Sequence, residues 1–180
     1  MESRNILVVI DMQNDFIDGA LGSADAQAIV DNVVSRIRDF DGEVVATRDT
    51  HPQDYLTATL EGARLPVLHC VAGSQGWEIC PKVAEALEAK GARILDKRTF
   101  GTFALPALLT AIPGFGKDSV ITVLGLDTDI CVVCGAMILR ASFPDNVIEV
   151  DASCCAGTCP QRHAAALDTM RSCQIDVVGE

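Results

Sequence analysis

The side chains able to do chemistry in this chain sit just past short apolar runs. Asp11 follows Ile6-Leu7-Val8-Val9-Ile10, and Asp49 and His51 follow Val44-Val45-Ala46. Lys97 follows Arg93-Ile94-Leu95, and Cys131 lies beyond Val120-Ile121-Thr122-Val123-Leu124. A thiol becomes a nucleophile on losing its proton, a carboxylate can take that proton and later deliver it to a leaving amine, and an ammonium adds positive charge beside both. Singly, each has a plainer use: Cys in an apolar helix as core, Asp after a strand as a helix cap, Lys97 between Asp96 and Arg98 as surface charge. If the runs are parallel strands of one sheet, their carboxyl ends share the edge where open α/β sheets bind ligands. Acid, base and thiol then converge on one cleft, and the expectation is an enzyme.

Cys131 is reached through Gly125-Leu126-Asp127-Thr128-Asp129-Ile130, so it falls where a helix begins. Unpaired N–H groups and the macrodipole there would favour a thiolate, lowering its pKa from about 8.5 towards neutrality. The same N–H groups would hold an oxyanion. Cys131 and Cys134 also form C-x-x-C, the spacing of a redox dithiol. Their flanks, Ile130 and Val133, lack the Trp or Pro-Gly neighbours of the thioredoxin-like version, so dithiol chemistry is the runner-up.

A metal is the second expectation. Asp49-Thr50-His51 places a carboxylate and an imidazole on one side of an extended segment, and His69 closes Pro66-Val67-Leu68. Asp, His and His with open positions suit Zn²⁺, Fe²⁺ or Mn²⁺, and Glu61 in the intervening loop would add an oxygen. The competing account makes His51-Pro52 a turn and His69 a satisfied core ring. His163, beside Arg162, reads as structural.

The elements that must position these groups alternate. Strands are expected at 5–11, 43–48, 66–70, 93–96, 119–125, 147–151 and 175–178, with 66–70 a short extended piece outside the main sheet. Helical spacing marks 25–40, where Ile29, Val33, Val34 and Ile37 share a face. It also marks 81–90, between Pro81 and Gly91, then 103–111, 130–142 and 160–172. Thr50 to Pro66 is poorly periodic and reads as a loop over the cleft. Strand alternating with helix means βαβ units and a parallel sheet, here as one domain over 1–180.

Composition narrows the function classes. The formal net charge of −11 repels nucleic acid and anionic membrane rather than attracting them. No apolar run is long enough to span a bilayer. The first strand follows Met1 so closely that no signal peptide fits, and the expected compartment is the cytoplasm. There the eight cysteines are mostly free thiols.

The motifs, in order, resemble those of the isochorismatase-like cysteine hydrolases, and among them most resemble nicotinamidases. Asp11-Met12-Gln13-Asn14-Asp15-Phe16 is similar to the family's first-strand motif with its catalytic aspartate. Thr47 through Pro52 and His69 through Gly76 are similar to its metal-ligand segments. Lys97 through Phe103 is similar to its lysine motif, and Gly125 through Val132 to its nucleophile motif. The resemblance implies a three-layer α/β/α fold with a mostly parallel six-stranded sheet, assembled as a homo-oligomer, dimer or tetramer. It implies a cis peptide at Leu126–Asp127 and an oxyanion hole from the Asp127 and Cys131 N–H groups. The implied catalytic set is Asp11, Lys97 and Cys131, the implied metal set Asp49, His51 and His69, to which the loop residue Glu61 would add its oxygen, and the substrate contacts Phe16, Phe100, Leu126 and Asp127. The implied reaction is hydrolysis of a small carboxamide, nicotinamide first, through a Cys131 thioester. A carbamoyl or ureido amide, a dithiol oxidoreductase and a catalytically silent binding relative are the alternatives. The sequence departs from the nicotinamidase pattern at Thr50, where many carry an aromatic, at Leu65-Pro66-Val67, where they carry a Trp, and at Asp127, where a small residue is common.

Overall fold

The computed structural model describes residues 4–180. Its chain order is β1 (Ile6–Ile10), α1 (Asn14–Ile17), α2 (Ala24–Ala28), α3 (Val30–Asp39), β2 (Glu43–Asp49), α4 (Tyr55–Ala58), α5 (Leu60–Arg64), α6 (Pro81–Ala89), β3 (Arg93–Lys97), α7 (Ala104–Thr110) and β4 (Ile121–Leu126). A π-helical turn (Thr128–Val132) then leads into α8 (Val133–Ser142), β5 (Ile148–Ala156), α9 (Pro160–Ser172) and β6 (Asp176–Val178).

The strands form one six-stranded sheet in the order β3-β2-β1-β4-β5-β6, and every pairing is parallel. β1 pairs with both β2 and β4, so successive connections run outward in opposite directions from that point. Crossovers between parallel strands are right-handed, which puts α3 and α6 on one face and α7, α8 and α9 on the other. The packing agrees: α3 lies against α6, and α8 against α7 and α9. β1 is buried along its whole length, as its unbroken Ile/Leu/Val run requires of a central strand covered on both faces. The crevice at the reversal, beyond the ends of β1 and β4, is where a ligand belongs in such a sheet.

Several expectations shift. Residues 66–70 form no strand; the neighbouring Val71 only bridges to His51. The 25–40 helix breaks at Ile29 into α2 and α3, with Ser23 Oγ accepting from Ala26 N at 3.0 Å as the cap of α2. The 50–66 loop contains α4 and α5, the second capped by Thr59, whose Oγ1 accepts from Gly62 N at 2.9 Å. Weak period and short length hid both, and α1 as well. β5 runs on to Ala156: opposite Val123–Gly125 of β4 the register shifts, with the extra residues on β5, and pairing resumes at Gly125 with Cys155. No helix among the described residues is long and apolar enough to cross a membrane.

Candidate active site

Asp11 is the first residue past β1 and has φ 47°, the left-handed region that Asp tolerates better than most residues. Its N–H donates to Thr47 O at 3.2 Å, and Thr47 Oγ1 donates to its Oδ1 at 2.7 Å. Lys97, the last residue of β3 and paired with Asp49 at the end of β2, brings Nζ 2.7 Å from Asp11 Oδ2 and 3.4 Å from Asp49 Oδ1. The same ammonium donates to Thr99 O at 3.0 Å and to Cys131 Sγ at 3.5 Å. Asp11, Lys97 and Cys131 therefore meet around one nitrogen, all three buried.

Burial sets the resting protonation. It pushes the Asp11 carboxyl above its ordinary range, against the attraction of Lys97. Burial pulls Lys97 down, but Asp11, Cys131 and Asp49 together outweigh it and hold the ammonium protonated. For Cys131, burial and the Asp11 charge push the thiol well above its ordinary value, and Lys97 offsets only part of this. This corrects the expectation of a helix-activated thiolate. Cys131 lies inside the π turn, 5% exposed, and desolvation is the largest influence on its thiol. Such a thiol needs a base at the moment of attack, and Asp11 stands beside it.

The second cluster adjoins the first. Asp49, His51, Glu61 and His69 each offer a ligand atom, all within 4.8 Å of one another. His51 Nε2 is 3.0 Å from Asp49 Oδ2 and 3.7 Å from Glu61 Oε1, and His69 Nε2 is 3.9 Å from Asp49 Oδ2. His69 Nδ1 is fixed by Val67 O at 2.8 Å, which turns Nε2 into the cluster as a ligand lone pair. Asp49 Oδ1 and His51 Nε2 are buried without a well-formed hydrogen bond. Two imidazoles and two carboxylates with orphaned buried atoms fit a divalent cation. Burial pushes Asp49 up, but the His51 contact, Lys97 and His69 outweigh it and keep the carboxylate ionised.

Neighbours that carry no signal in the sequence hold this cluster in place. Gln13 is fully buried; its Nε2 donates to Asp49 O and Trp77 O at 2.8 and 2.9 Å, and its Oε1 accepts from Asp49 N at 2.7 Å. Asp15 Oδ2 accepts from Cys70 N at 2.7 Å, fixing the residue after His69. Tyr55 packs on His51 with ring centroids 4.2 Å apart and sends its hydroxyl to Glu61 Oε1 at 3.4 Å. A buried Gln beside β1 and a lone Tyr in an aperiodic stretch carry no spacing signal.

A cavity of about 360 Å³ opens over both clusters, lined by Phe16, Asp49, Glu61, His69, Phe100, Asp127 and Cys131 among others. That volume lies at the small-ligand end of binding pockets. Phe16 and Phe100 thus line it as expected, but Leu126 does not. Its side chain is fully buried in the core, because β4 is a central strand covered on both faces and buried along its whole length. The Leu126–Asp127 peptide is cis. Trp77 is outside the cavity: its Nε1 donates to Thr50 Oγ1 at 2.9 Å and the Arg48 guanidinium lies 3.5 Å over its ring. His163 Nδ1 meets Thr128 Oγ1 at 2.8 Å, pinning α9 to the π turn. Cys134 is half-buried, is a free thiol and does not line the cavity.

A doubly wound parallel sheet with a Cys-Lys-Asp cluster at its switch point, beside a four-residue metal-type set, defines the class as an α/β/α protein with a thiol site. A family model described as the isochorismatase domain matches residues 5–179, and the chain belongs to that family. The chain is 33% identical over 190 residues to the nicotinamidase/pyrazinamidase of Mycobacterium tuberculosis, covering 96% of this chain and 97% of that protein. Among solved structures, it matches the nicotinamidase/pyrazinamidase of Bacillus subtilis with a TM-score of 0.84 at 26% identity, over 97% of this chain and 99% of that one. The pyrazinamidase of Pyrococcus horikoshii in complex with zinc matches with a TM-score of 0.83 at 26% identity, over 98% and 99%.

Proposed function

We propose that this protein hydrolyses a small aromatic carboxamide, nicotinamide to nicotinate and ammonia. The observation that carries the reading is the contact of Lys97 Nζ with Asp11 Oδ2 and with the Sγ of Cys131, the member of the three that lines a cavity of small-ligand size. Asp11 takes the thiol proton as Sγ bonds to the carboxamide carbon, and the carbonyl π electrons move to oxygen. The Asp127 and Cys131 backbone N–H groups serve as donors to that oxyanion. Collapse expels the amine, which leaves as ammonia with the proton from Asp11. Water then attacks the thioester, giving one proton to Asp11; the C–S bond breaks, Asp11 returns that proton to Cys131 Sγ, and the acid loses its remaining proton to solvent as it leaves as carboxylate. Lys97 keeps Asp11 oriented and offsets negative charge throughout.

Asp49, His51, Glu61 and His69 would hold a divalent cation, Zn²⁺ in this reading with Fe²⁺ or Mn²⁺ as alternatives, which would supply a Lewis acid for the substrate's ring nitrogen. Phe16 and Phe100 supply the apolar walls.

The test is ammonia release over a panel of small amides, with the wild type and Cys131→Ala in parallel. Turnover of nicotinamide that disappears in the variant is expected. Turnover surviving the substitution removes the nucleophile assignment, and turnover confined to ureido or carbamoyl compounds removes the substrate. Cys134→Ser is expected to keep amide turnover, since that thiol does not reach the cavity.

A further inference from the structure

Each acid at this site has a partner except one. Asp11 is held by Lys97 and Thr47, and Asp49 lies against His51 and Lys97. Glu61 accepts from Tyr55, and Asp129 takes Thr158 N and Thr158 Oγ1 at 2.8 and 2.6 Å. The Asp127 carboxyl lines the same cavity as Cys131 and accepts no hydrogen bond or ion pair from any described residue. Arg162, the cation that α9 brings to the cavity wall, makes no ion pair with it, and Lys97 is committed to Asp11. Asp129 and Asp11 add only repulsion.

An unpartnered carboxyl costs stability on a cavity wall where a small apolar residue would serve. Only what enters the cavity can complete it. A bare pyridine ring whose nitrogen faces the Asp49 cluster and whose carboxamide is turned to Cys131 carries no N–H donor on the ring itself. We propose that Asp127 is a specificity-determining residue, whose side chain accepts a hydrogen bond from an N–H donor on the substrate's ring, so that an amino-substituted aromatic carboxamide is preferred to the bare ring. The role is separate from that of the Asp127 backbone N–H, which any residue at 127 retains. Burial raises the carboxyl to about 7, so the acceptor form dominates above neutrality.

The inference rests on the amide-hydrolase reading for the carboxamide's place, so its test does not depend on turnover. Binding is measured calorimetrically at about pH 8 to metal-replete Cys131→Ala protein, which cannot form a thioester. The probes are nicotinamide and its 4-amino and 5-amino derivatives, whose ring nitrogens are unflanked. A charge-assisted hydrogen bond gives an expected preference of about tenfold for at least one amino derivative. Adding Asp127→Ala is expected to shrink that ratio to about twofold or less, with Asp127→Asn, which keeps an acceptor oxygen, in between. Equal binding of all three probes to Cys131→Ala protein overturns the proposal. So does a preference that survives Asp127→Ala. Should Asp127→Ala fail to fold, the Asp127→Asn ratio decides alone, an unchanged preference counting against. Loss of turnover on every amide with the binding preference intact would instead strike the hydrolase reading and leave this one standing.

Discussion

Lys97 Nζ lies 2.7 Å from Asp11 Oδ2, with the lysine side chain 2% exposed and the aspartate side chain fully buried. Neither charge reaches bulk water, so each depends on the other. Removing one partner of such a pair typically costs about 3–5 kcal/mol, because the survivor is left uncompensated. Lys97→Met is expected to destabilise the fold by about that amount, or to leave Asp11 protonated and useless as a base. Urea denaturation and amide turnover report the two outcomes. A Lys97→Met protein of wild-type stability and activity would show the pair to be incidental.

Asp11→Asn keeps shape and the Thr47 contact while abolishing proton transfer. Turnover is expected to fall by about 10²–10⁴, the usual worth of a positioned acid–base group. Burial, the largest influence raising the thiol, persists in the variant although the Asp11 charge is gone, so raising the pH to about 8 is not expected to restore wild-type turnover. Recovery by about pH 8 would mean that the thiol ionises without help.

How much of this was legible in the sequence follows from where each residue sits. Asp11, Lys97 and Cys131 each stand just beyond an apolar run, and parallel pairing converts that linear fact into a shared edge. His51 and His69 are two of only three histidines, so their grouping stood out. Gln13 could not be found this way, since its work is with backbone atoms of Asp49 and Trp77, and such bonds leave no pattern in residue type. The state of the Cys131 thiol was misread because burial, a tertiary property, decides it over the local helix start. Leu126, the last residue of β4, belongs to the core with the rest of that strand, and the cavity begins only at Asp127.

Gln13 gives a prediction that separates ligand from support. Its amide satisfies two carbonyls and one N–H in the interior. Gln13→Leu leaves them unpaired, an expected loss of about 2–4 kcal/mol. It also frees Asp49 to turn, and loss of such outer support weakens metal sites by about 10–100-fold. Chelator competition on zinc-loaded protein measures this. His51→Ala, which deletes a ligand, is expected to retain less metal than Gln13→Leu. The reverse order would contradict the assigned ligand set.

Asp127 predicts a pH dependence of stability. Burial first, then repulsion by Asp129 and Asp11, raises its carboxyl from 3.8 to about 7. A group held above its unfolded value binds its proton more tightly in the native state, so its stabilising share is complete below the unfolded value and is lost as pH climbs through the folded one. Relative to Asp127→Asn, which cannot ionise, the wild type is expected to lose up to about 2 kcal/mol between roughly pH 4 and 7, the open cavity screening part of the full shift. A difference in Tm between the two proteins that stays flat over that window would show that Asp127 ionises normally.

Gly76 carries the last prediction, because it touches no ligand. A Cβ there would meet Asp15 Oδ2 at 2.1 Å and Asp15 Cγ at 2.2 Å. Asp15 cannot simply swing away: its N–H donates to Gly76 O at 3.0 Å and its Oδ2 accepts from Cys70 N at 2.7 Å. Cys70 in turn follows His69 and has φ 46°, a backbone state that needs outside support in a non-glycine residue. Gly76→Ala is therefore expected to break the Asp15–Cys70 bond and loosen His69, lowering metal affinity by about tenfold through displaced support alone. Asp15→Ala, which removes the bond without the clash, should weaken metal binding to a similar degree. Adding Asp15→Ala to Gly76→Ala should then cost little more, since both act through one contact. Additive losses in the double variant would place the effect of Gly76 elsewhere.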